Sequence, residues 1–272
     1  MASGATPGYT GSTPIHTFAE NHREGQAFSL PSAPVARPRQ VPQAAAMDRR
    51  PEPELMDETE QARAYAEADF EDPNATFCSL VQHRLGDVPQ AARVVDLGCG
   101  PADIPRRLAE SHPDWTITAV DAAPAMLAMA RDHLQRSTVA DRIALVTGRV
   151  PHLPLPAHSF DLVLSNSLLH HLADPRSLWQ SIAQLGRTEG RVLVMDLRRP
   201  ANEQTARDLV HAYAATEPEV LRRDFYNSFL AAYTVAEVEH QLAAAGLTAL
   251  RASAEGDRHL VVWGHLPRIP TR

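Results

Sequence analysis

The stretch at residues 94–103, VVDLGCGPAD, constrains the fold of this chain more than any other. An apolar run carries Asp96 near its end, and Gly98 and Gly100 follow it. Glycine adopts positive φ without a clash and lets the backbone approach a ligand, and a helix after the turn points unpaired N–H groups at that ligand. A second apolar run ends in Asp121, at the usual distance for a carboxylate that binds a ribose. The two segments together predict a nucleotide cradle.

The turn departs from the dinucleotide fingerprint G-x-G-x-x-G at its third glycine, where this chain has Asp103. A carboxylate at that position would repel a pyrophosphate. All 26 basic residues are arginine, which excludes Schiff-base chemistry, a P-loop and the Tyr-x-x-x-Lys pair of short-chain dehydrogenases. A purely structural glycine turn in another α/β protein remains the alternative interpretation.

The DLGCG turn, with an acid ending the next strand, resembles the first two motifs of class I S-adenosylmethionine-dependent methyltransferases. The resemblance implies a ligand with a cationic amine and a sulfonium. It implies that Asp96 lies near the methionine amine, that Gly98 and Gly100 flank the methionyl part, and that Asp121 binds the ribose beside Ala122.

Two later segments carry the same resemblance. TGRVPHLPLP at 147–156 is similar to the segment that covers the adenine, and it implies that Gly148, Arg149 and Val150 bind the cofactor. Arg149 stands where the family has an acid, and a guanidinium has donors only, so it cannot accept a hydrogen bond from the adenine amine.

The FDLVLSNSLLHHL segment at 160–172 is similar to that of ubiquinone/menaquinone-type small-molecule methyltransferases. It implies that Asn166 lies beside the sulfonium or methionyl part and that His170 or His171 faces the acceptor. A histidine could take a proton from an oxygen or nitrogen nucleophile, because its unperturbed pKa is near 6.5. Adjacent histidines also occur as packing residues at helix starts, and a dedicated base can be absent.

Polar residues after the fifth predicted strand could hold a carboxylate or another anionic, polar acceptor. The alternative is a helix surface with arginine–carboxylate pairs. The predicted acceptor-binding residues are Arg198, Arg199, Arg223, Tyr226, Asn227 and Tyr233.

Apolar periodicity predicts strands alternating with helices. This alternation predicts a mostly parallel sheet, and the resemblance implies a Rossmann-like seven-stranded sheet of order 3-2-1-4-5-7-6, with helices on both faces and an N-terminal helical lid. Strands are predicted at Arg93–Leu97, Thr116–Val120, Arg142–Val146, Asp161–Ser165, Arg191–Asp196, Thr248–Ala252 and His259–Trp263. Helices are predicted at Pro101–Ser111, Pro124–Gln135, Pro175–Leu185, Asn202–Ala215 and Thr234–Ala245.

Three regions are expected along the chain. Residues 1–46 are proline-rich without apolar periodicity, which is typical of a disordered extension, and Met47 is a candidate natural start. Residues 47–90 are expected to form a helical lid region, and residues 91–272 the S-adenosylmethionine-binding domain.

The composition of the chain limits the classes of partner that it is expected to bind. A net charge of −7 without a basic block argues against nucleic acid, and no apolar run is long enough to span a membrane. Cys78 and Cys99 have neither disulfide nor metal-ligand spacing, so no metal and a reducing, cytoplasmic location are expected. The expected partner is a small-molecule acceptor, and the expected cofactor is S-adenosyl-L-methionine. The rival interpretations are a non-catalytic cofactor-binding protein and a nucleotide-dependent oxidoreductase.

Overall fold

A computed structural model describes residues 47–52 and 71–268 of the 272-residue chain. The predicted disordered extension at 1–46 and the predicted helices between 53 and 70 lie outside the described residues. Residues 47–52 run without helix or strand, and a helix begins at Glu71. Within the described parts of the chain, no helix has the length and apolarity needed to cross a bilayer.

Strands and helices alternate along the described chain. The strands are β1 (Arg93–Leu97), β2 (Thr116–Asp121), β3 (Ile143–Thr147), β4 (Phe160–Asn166), β5 (Gly186–Leu197), β6 (Leu250–Glu255) and β7 (His259–His265). The helices are α1 (Glu71–Arg84), α2 (Asp103–Ser111), α3 (Pro124–Gln135), α4 (Arg176–Leu185), α5 (Glu203–Ala214), α6 (Glu219–Ala231) and α7 (Val235–Ala244), with short 3₁₀ turns at Ala140–Arg142 and Leu169–His171.

The seven strands form one sheet of order β3-β2-β1-β4-β5-β7-β6, which confirms the predicted topology. β1 pairs in parallel with β2 and β4, and β7 pairs antiparallel with β5 and β6. The order reverses beside β1, where the crossovers to its two neighbours diverge. Ligands of open parallel sheets bind at such a point, outside the carboxyl ends of the strands.

The core has a layer on each face of the sheet, because successive strand residues point to opposite sides. Val94 of β1 packs with α1, α2 and α3 on one face, and Val95 packs with α4 and α7 on the other. Trp179 is fully buried in the second layer. These layers hold the strand ends, and so the site, in fixed positions.

The helical hairpin of α5 and α6 has its own small core at the end of β5. Leu197 packs there with Leu209, Phe229 and Ala232. The α6 helix was missing from the prediction, which left 219–231 as an insertion with a helix surface as the alternative interpretation. Leu221, Phe225 and Phe229 recur every four residues, which is a helical spacing, and Phe225 packs against Phe229 with ring centroids 4.6 Å apart.

Other helix and strand boundaries differ from the predicted ones by a few residues. α2 begins at Asp103 and not at Pro101, because Ala102 has a left-handed φ of 62° that ends the turn before the helix. β5 begins at Gly186, earlier than the predicted Arg191, because it continues past a register shift in its pairing with β4. Gly246 has the predicted left-handed conformation after α7, with φ of 72°.

Candidate functional site

The glycine turn after β1 is a left-handed loop tied to β2. Gly98 and Gly100 have φ of 77° and 52°. The N–H groups of Gly98 and Cys99 both donate to the carbonyl of Val120, at 2.8 and 2.9 Å. A Cβ on Gly98 would lie 3.1 Å from the side chain of Leu168. The turn therefore needs glycine both for its backbone conformation and for its close approach to the loop after β4.

Asp121, at the end of β2, accepts hydrogen bonds from the glycine turn and from the loop after β2. Its Oδ2 accepts a hydrogen bond from the N–H of Gly100 at 2.9 Å, and its Oδ1 accepts one from the N–H of Ala123 at 2.8 Å. Burial raises the pKa of this carboxyl, although the backbone donors oppose the shift. The same carboxylate thus orders two loops at the mouth of the cradle.

A pocket opens at the carboxyl edge of the sheet, where the loops after β1, β2, β3 and β4 meet. Eight of the nine residues predicted to bind the cofactor line it: Gly98, Gly100, Asp121, Ala122, Gly148, Arg149, Val150 and Asn166. The sequence analysis missed the residues that complete its wall, which are mostly apolar: Leu97, Val120, Ala123, Met126, Ser167, Leu168 and Leu172. Four of these residues stand within the motif segments quoted above, at 94–103 and 160–172, but their side chains carry no charge that would mark them as ligand contacts.

The ninth residue, Asp96, lies behind the turn and is almost fully buried. Its Oδ1 and the Oδ1 of Asn166 are buried without a hydrogen-bond partner. Burial, assisted by the nearby charge of Asp121, raises the pKa of Asp96 to about 7. A buried polar oxygen without a donor is costly, so these two atoms mark a place where a donor or a cation would be stabilised.

The adjacent histidines of the 3₁₀ turn after β4 point to different surroundings. His171 lines the pocket, whereas His170 is buried with its Nδ1 2.6 Å from Oδ1 of Asp196. Asp196 also accepts from the N–H of Leu169 at 2.7 Å. Only His171 is therefore placed to meet a ligand in the pocket.

Residues 47–52, which we name the N-terminal strap, cross this end of the site. Arg49 donates through Nε to the carbonyl of Ala231 at 2.6 Å, and through Nη2 to the carbonyls of His170 and Leu172 at 3.0 and 3.1 Å. Its guanidinium also lies 4.1 Å above the ring of Tyr233.

Glu52 ends the strap beside the two histidines. Its Oε1 lies 3.1 Å from Nδ1 of His171 and 3.6 Å from Nε2 of His170, and it accepts from Oγ of Ser228 at 3.1 Å. The sequence analysis missed Glu52 and Arg49, because they lie far from every motif along the chain.

The contacts among Glu52, His170 and His171 shift the pKa of each group. Burial acts to raise the pKa of Glu52, but the hydrogen bond with His171 and the charge of His170 outweigh it, so this pKa is lowered. Burial acts to lower the pKa of His170, but Asp196 outweighs it, and this pKa is raised. Burial and the charge of His170 both lower the pKa of His171. At neutral pH, Glu52 is then a carboxylate and His171 a neutral imidazole.

Glu52, His170 and His171 are also spaced closely enough to share a metal ion, with one ligand atom from each within 4.8 Å of the others. Oε1 of Glu52 accepts from Ser228, Nδ1 of His170 is bound to Asp196, and Arg49 supplies a positive charge beside them. We therefore describe the group as a proton-sharing network.

Comparisons with known proteins agree with this geometry. Residues 95–194 match a family model described as a methyltransferase domain. A putative S-adenosyl-L-methionine-dependent methyltransferase from Methanococcus maripaludis superposes with a TM-score of 0.61 at 15% identity, over 81% of this chain and 98% of that one. Residues 95–194 are thus similar to a methyltransferase domain, and the sheet that contains them has the fold of that solved structure.

Two curated relatives match part of this chain at a higher sequence identity than that solved structure does. Trans-aconitate 2-methyltransferase from Delftia acidovorans is 39% identical over 141 residues, which is 50% of this chain and 48% of that protein. Demethylmenaquinone methyltransferase from Chlamydia pneumoniae is 28% identical over 107 residues, which is 39% of this chain and 45% of that protein. The chain thus spans about half the length of these relatives.

The resemblance implies S-adenosylmethionine as the methyl donor, and the residues present fit it. The two partnerless oxygens, on Asp96 and Asn166, suit a cationic amine, and the Asp121 carboxylate suits hydroxyl donors. A Cβ on Gly148 would lie 2.8 Å from Cδ2 of Leu153, so a larger residue there would require the Leu153 side chain to shift.

Asp103 does not act as the sequence analysis supposed. Its carboxylate accepts hydrogen bonds from Arg106, Arg107 and Asn74, and this pairing outweighs the effect of burial and lowers its pKa. It lies outside the pocket lining. The charge of Asp103 is therefore balanced by two arginines and does not bear on a ligand in the pocket. The preference for a sulfonium cofactor depends on the residues that line or lie behind the pocket.

The predicted acceptor-binding residues are not gathered in one place. Arg198 donates to the carbonyls of Asp257 and His259, at 2.9 and 3.3 Å, and the buried Arg199 binds the carbonyl of Ala232 and the carboxylate of Glu237. These contacts hold the last hairpin and α7 in place.

The remaining members of that set lie on or next to α6. Arg223 pairs with Asp224 at 3.5 Å, and the hydroxyl of Tyr226 donates to Glu203 at 3.2 Å. Tyr233 donates to the carbonyl of Leu172 at 3.3 Å, which brings it to the edge of the pocket, and Asn227 is half-buried. The acceptor role of the whole set stays a prediction.

Proposed function

We propose that this protein transfers the methyl group of S-adenosylmethionine to a small, polar or anionic acceptor. The observation that carries the proposal is the pair of buried, partnerless oxygens of Asp96 and Asn166, beside a glycine turn and a ribose-type carboxylate. A dinucleotide phosphate would add negative charge next to Asp96 and Asp121. A cationic ligand would instead compensate it.

The cofactor supplies an electrophilic methyl group on its sulfonium when bound. Asp96 and Asn166 would hold its amino-acid end, and Asp121 would hold the ribose. Gly148, Arg149 and Val150 would border the adenine through backbone groups or through stacking of the guanidinium. Rigid placement of these groups would align the acceptor with the methyl group and exclude water.

His171 is our candidate for the group that removes the acceptor's proton. It lines the pocket, and its lowered pKa keeps it neutral and able to accept a proton near pH 7. His170, which the sequence also marked as catalytic, would act only through its neighbours, because its Nδ1 is bound to Asp196 in the interior.

Two acceptor classes follow from the relatives. The name of the Delftia protein specifies an aconitate, which is a carboxylate anion, and the name of the Chlamydia protein specifies a quinone precursor. The higher identity to the first relative favours a carboxylate. Membership of the ubiquinone/menaquinone-type group is the second candidate.

Calorimetry with S-adenosylmethionine, S-adenosylhomocysteine and NAD tests the cofactor assignment. We expect S-adenosylmethionine and S-adenosylhomocysteine to bind and NAD not to bind. The opposite result would refute the cofactor assignment. An acceptor screen that detects S-adenosylhomocysteine, started with small di- and tricarboxylates and quinols, tests turnover. Tight cofactor binding without turnover of either class would instead identify a non-catalytic binding protein.

Replacing Asp121 with alanine is expected to weaken S-adenosylmethionine binding by about 1–3 kcal/mol, because charge-assisted hydrogen bonds to the ribose are lost. The backbone donors of Gly100 and Ala123 lose their acceptor as well. Calorimetry measures the dissociation constant. Asp114→Ala, at an exposed carboxylate bound to Gln90, is the matched control and should leave affinity unchanged. Unchanged affinity in the Asp121 variant would mean that the ribose assignment is wrong.

Cofactor binding is expected to weaken below neutral pH. The pKa of Asp96 is raised to about 7 in the protein without cofactor, so below that pH the carboxyl must lose a proton before it can pair with a cationic amine. Each pH unit below about 7 should then raise the dissociation constant up to about tenfold. Titrations between pH 5.5 and 7.5 measure this. Asp96→Asn should bind weakly with little pH dependence, whereas an equal slope in both proteins would exclude Asp96 as the titrating group.

A further inference from the structure

We propose that Glu52 is a positioning residue that fixes His171 in the tautomer and orientation needed to accept a proton, so that the N-terminal strap completes the acceptor end of the site. The inference rests on the proposed function and deepens it. It adds a residue that lies outside the segment matched by the methyltransferase-domain model, residues 95–194.

The first step is the contact between the two side chains. Oε1 of Glu52 lies 3.1 Å from Nδ1 of His171, and the two side chains are only 12% and 15% exposed. Nδ1 of His171 is buried without a well-aligned hydrogen bond, but a lone pair there would face the Glu52 carboxylate, so a neutral His171 is expected to carry its proton on Nδ1. The lone pair of the ring is then on Nε2. A base oriented by a third group in this way is the arrangement used in nucleophile–histidine–carboxylate sites.

The second step is that Glu52 is itself held in place. Its Oε1 accepts from the hydroxyl of Ser228 at 3.1 Å, and Nε2 of His170 lies 3.6 Å away. His170 is fixed in turn by Asp196, at 2.6 Å. The carboxylate of Glu52 is therefore held by groups other than His171.

The third step is that the strap is built into the domain. Arg50 donates through its backbone N–H to the carbonyl of Leu230 at 2.9 Å and through its side chain to Glu203 at 2.6 Å. Arg49 binds carbonyls on both sides of the histidine pair, as described above. The backbone bond of Arg50 and the bonds of Arg49 hold Glu52 in place, whereas the exposed Arg50–Glu203 pair contributes little.

The proton and electron balance of the step is simple. A lone pair of the acceptor forms the new bond to the methyl carbon, and the electrons of the broken carbon–sulfur bond stay on sulfur. The acceptor's proton moves to Nε2 of His171, and the resulting imidazolium is stabilised by Glu52. Solvent then takes the proton.

The first experiment uses the full chain without cofactor. In ¹⁵N NMR spectra of the histidine rings, with His171 assigned by comparison with His171→Gln, the wild-type protein should show His171 protonated at Nδ1. Glu52→Gln should shift it toward a mixture of tautomers or toward Nε2 protonation, whereas Glu203→Gln, which loosens the strap without touching the histidines, should leave it as in the wild type. Nε2 protonation in the wild type would overturn the proposal.

The second experiment measures turnover with an acceptor from the screen. Glu52→Gln should lower kcat at least about tenfold with little change in KM or in S-adenosylmethionine affinity, and Glu203→Gln should keep wild-type kcat. In Glu52→Ala, added formate or acetate should recover part of the lost kcat, because a small carboxylate can replace the missing group. Equal kcat in Glu52→Gln and wild type, or a loss that Glu203→Gln shares and carboxylates do not rescue, would mean that the strap is only structural.

These outcomes can be separated from failure of the proposed function, since calorimetry with S-adenosylmethionine tests the cradle and the NMR experiment needs neither cofactor nor acceptor. A last measurement concerns the metal alternative. Calorimetry with Zn²⁺, Ni²⁺ and Fe²⁺ should give no tight site that depends on Glu52. A stoichiometric site lost in both Glu52→Gln and His171→Gln would overturn the proposal, because a metal-bound ring cannot accept the proton.

Discussion

Replacing His171 with alanine is expected to lower kcat by about 10²–10⁴-fold, the usual contribution of a positioned general base. S-adenosylmethionine should bind the variant almost as tightly as the wild type. The reason for the difference is that the oxygens proposed to hold the cofactor belong to Asp96, Asn166 and Asp121, whereas His171 is proposed to act only on the acceptor's proton.

Release of S-adenosylhomocysteine under saturating cofactor measures kcat, and calorimetry measures cofactor affinity. His83→Ala is the matched control, since His83 lies exposed on α1 and bonds only within its own helix. A variant at His171 with nearly wild-type kcat would show that the acceptor reacts without a base on this residue. A large loss of cofactor affinity would instead assign the ring to the cofactor.

Replacing Trp179 with alanine is expected to reduce the free energy of unfolding by about 3–5 kcal/mol, which is typical of a large aromatic residue removed from a packed core. Trp179 belongs to α4 and is fully buried in the layer that α4 and α7 form on the sheet. Its indole N–H donates to Gln241 at 2.9 Å. The substitution would leave a cavity and a partly buried amide without its donor.

Urea unfolding followed by circular dichroism measures the change. Trp179→Phe is the graded control, since it keeps an aromatic ring and loses only part of the volume and the N–H donor. Its loss should be clearly smaller. A loss below about 1 kcal/mol for the alanine variant would mean that the layer collapses to fill the space, contrary to the close packing of that face. Trp179 does not line the pocket, so the folded fraction should keep its cofactor affinity.

The sequence was informative wherever structure depends on neighbours along the chain. The left-handed conformation of Gly98 and Gly100, the strand ends at Asp96 and Asp121, and the alternation that produces the sheet order all follow from local patterns. Parallel strands then bring their carboxyl ends to one edge, which is why eight separated residues meet in one pocket.

The tertiary structure decided the roles that depend on side-chain direction and on contacts between distant segments. His170 and His171 are adjacent, yet one turns to Asp196 in the core and the other to the pocket, since neighbouring residues of a tight turn point different ways. No pattern could link Glu52 to them. The guanidinium of Arg199 likewise has its partners on the chain leading into α7 and on that helix.

The sequence by itself therefore determined the cradle and the fold around it, because these rest on backbone conformation and on apolar periodicity. Only the tertiary structure decided which histidine faces the pocket and that the strap supplies a carboxylate to it. Such pairings are made by long-range packing, which brings Glu52 within 3.1 Å of a ring that no local rule connects to it.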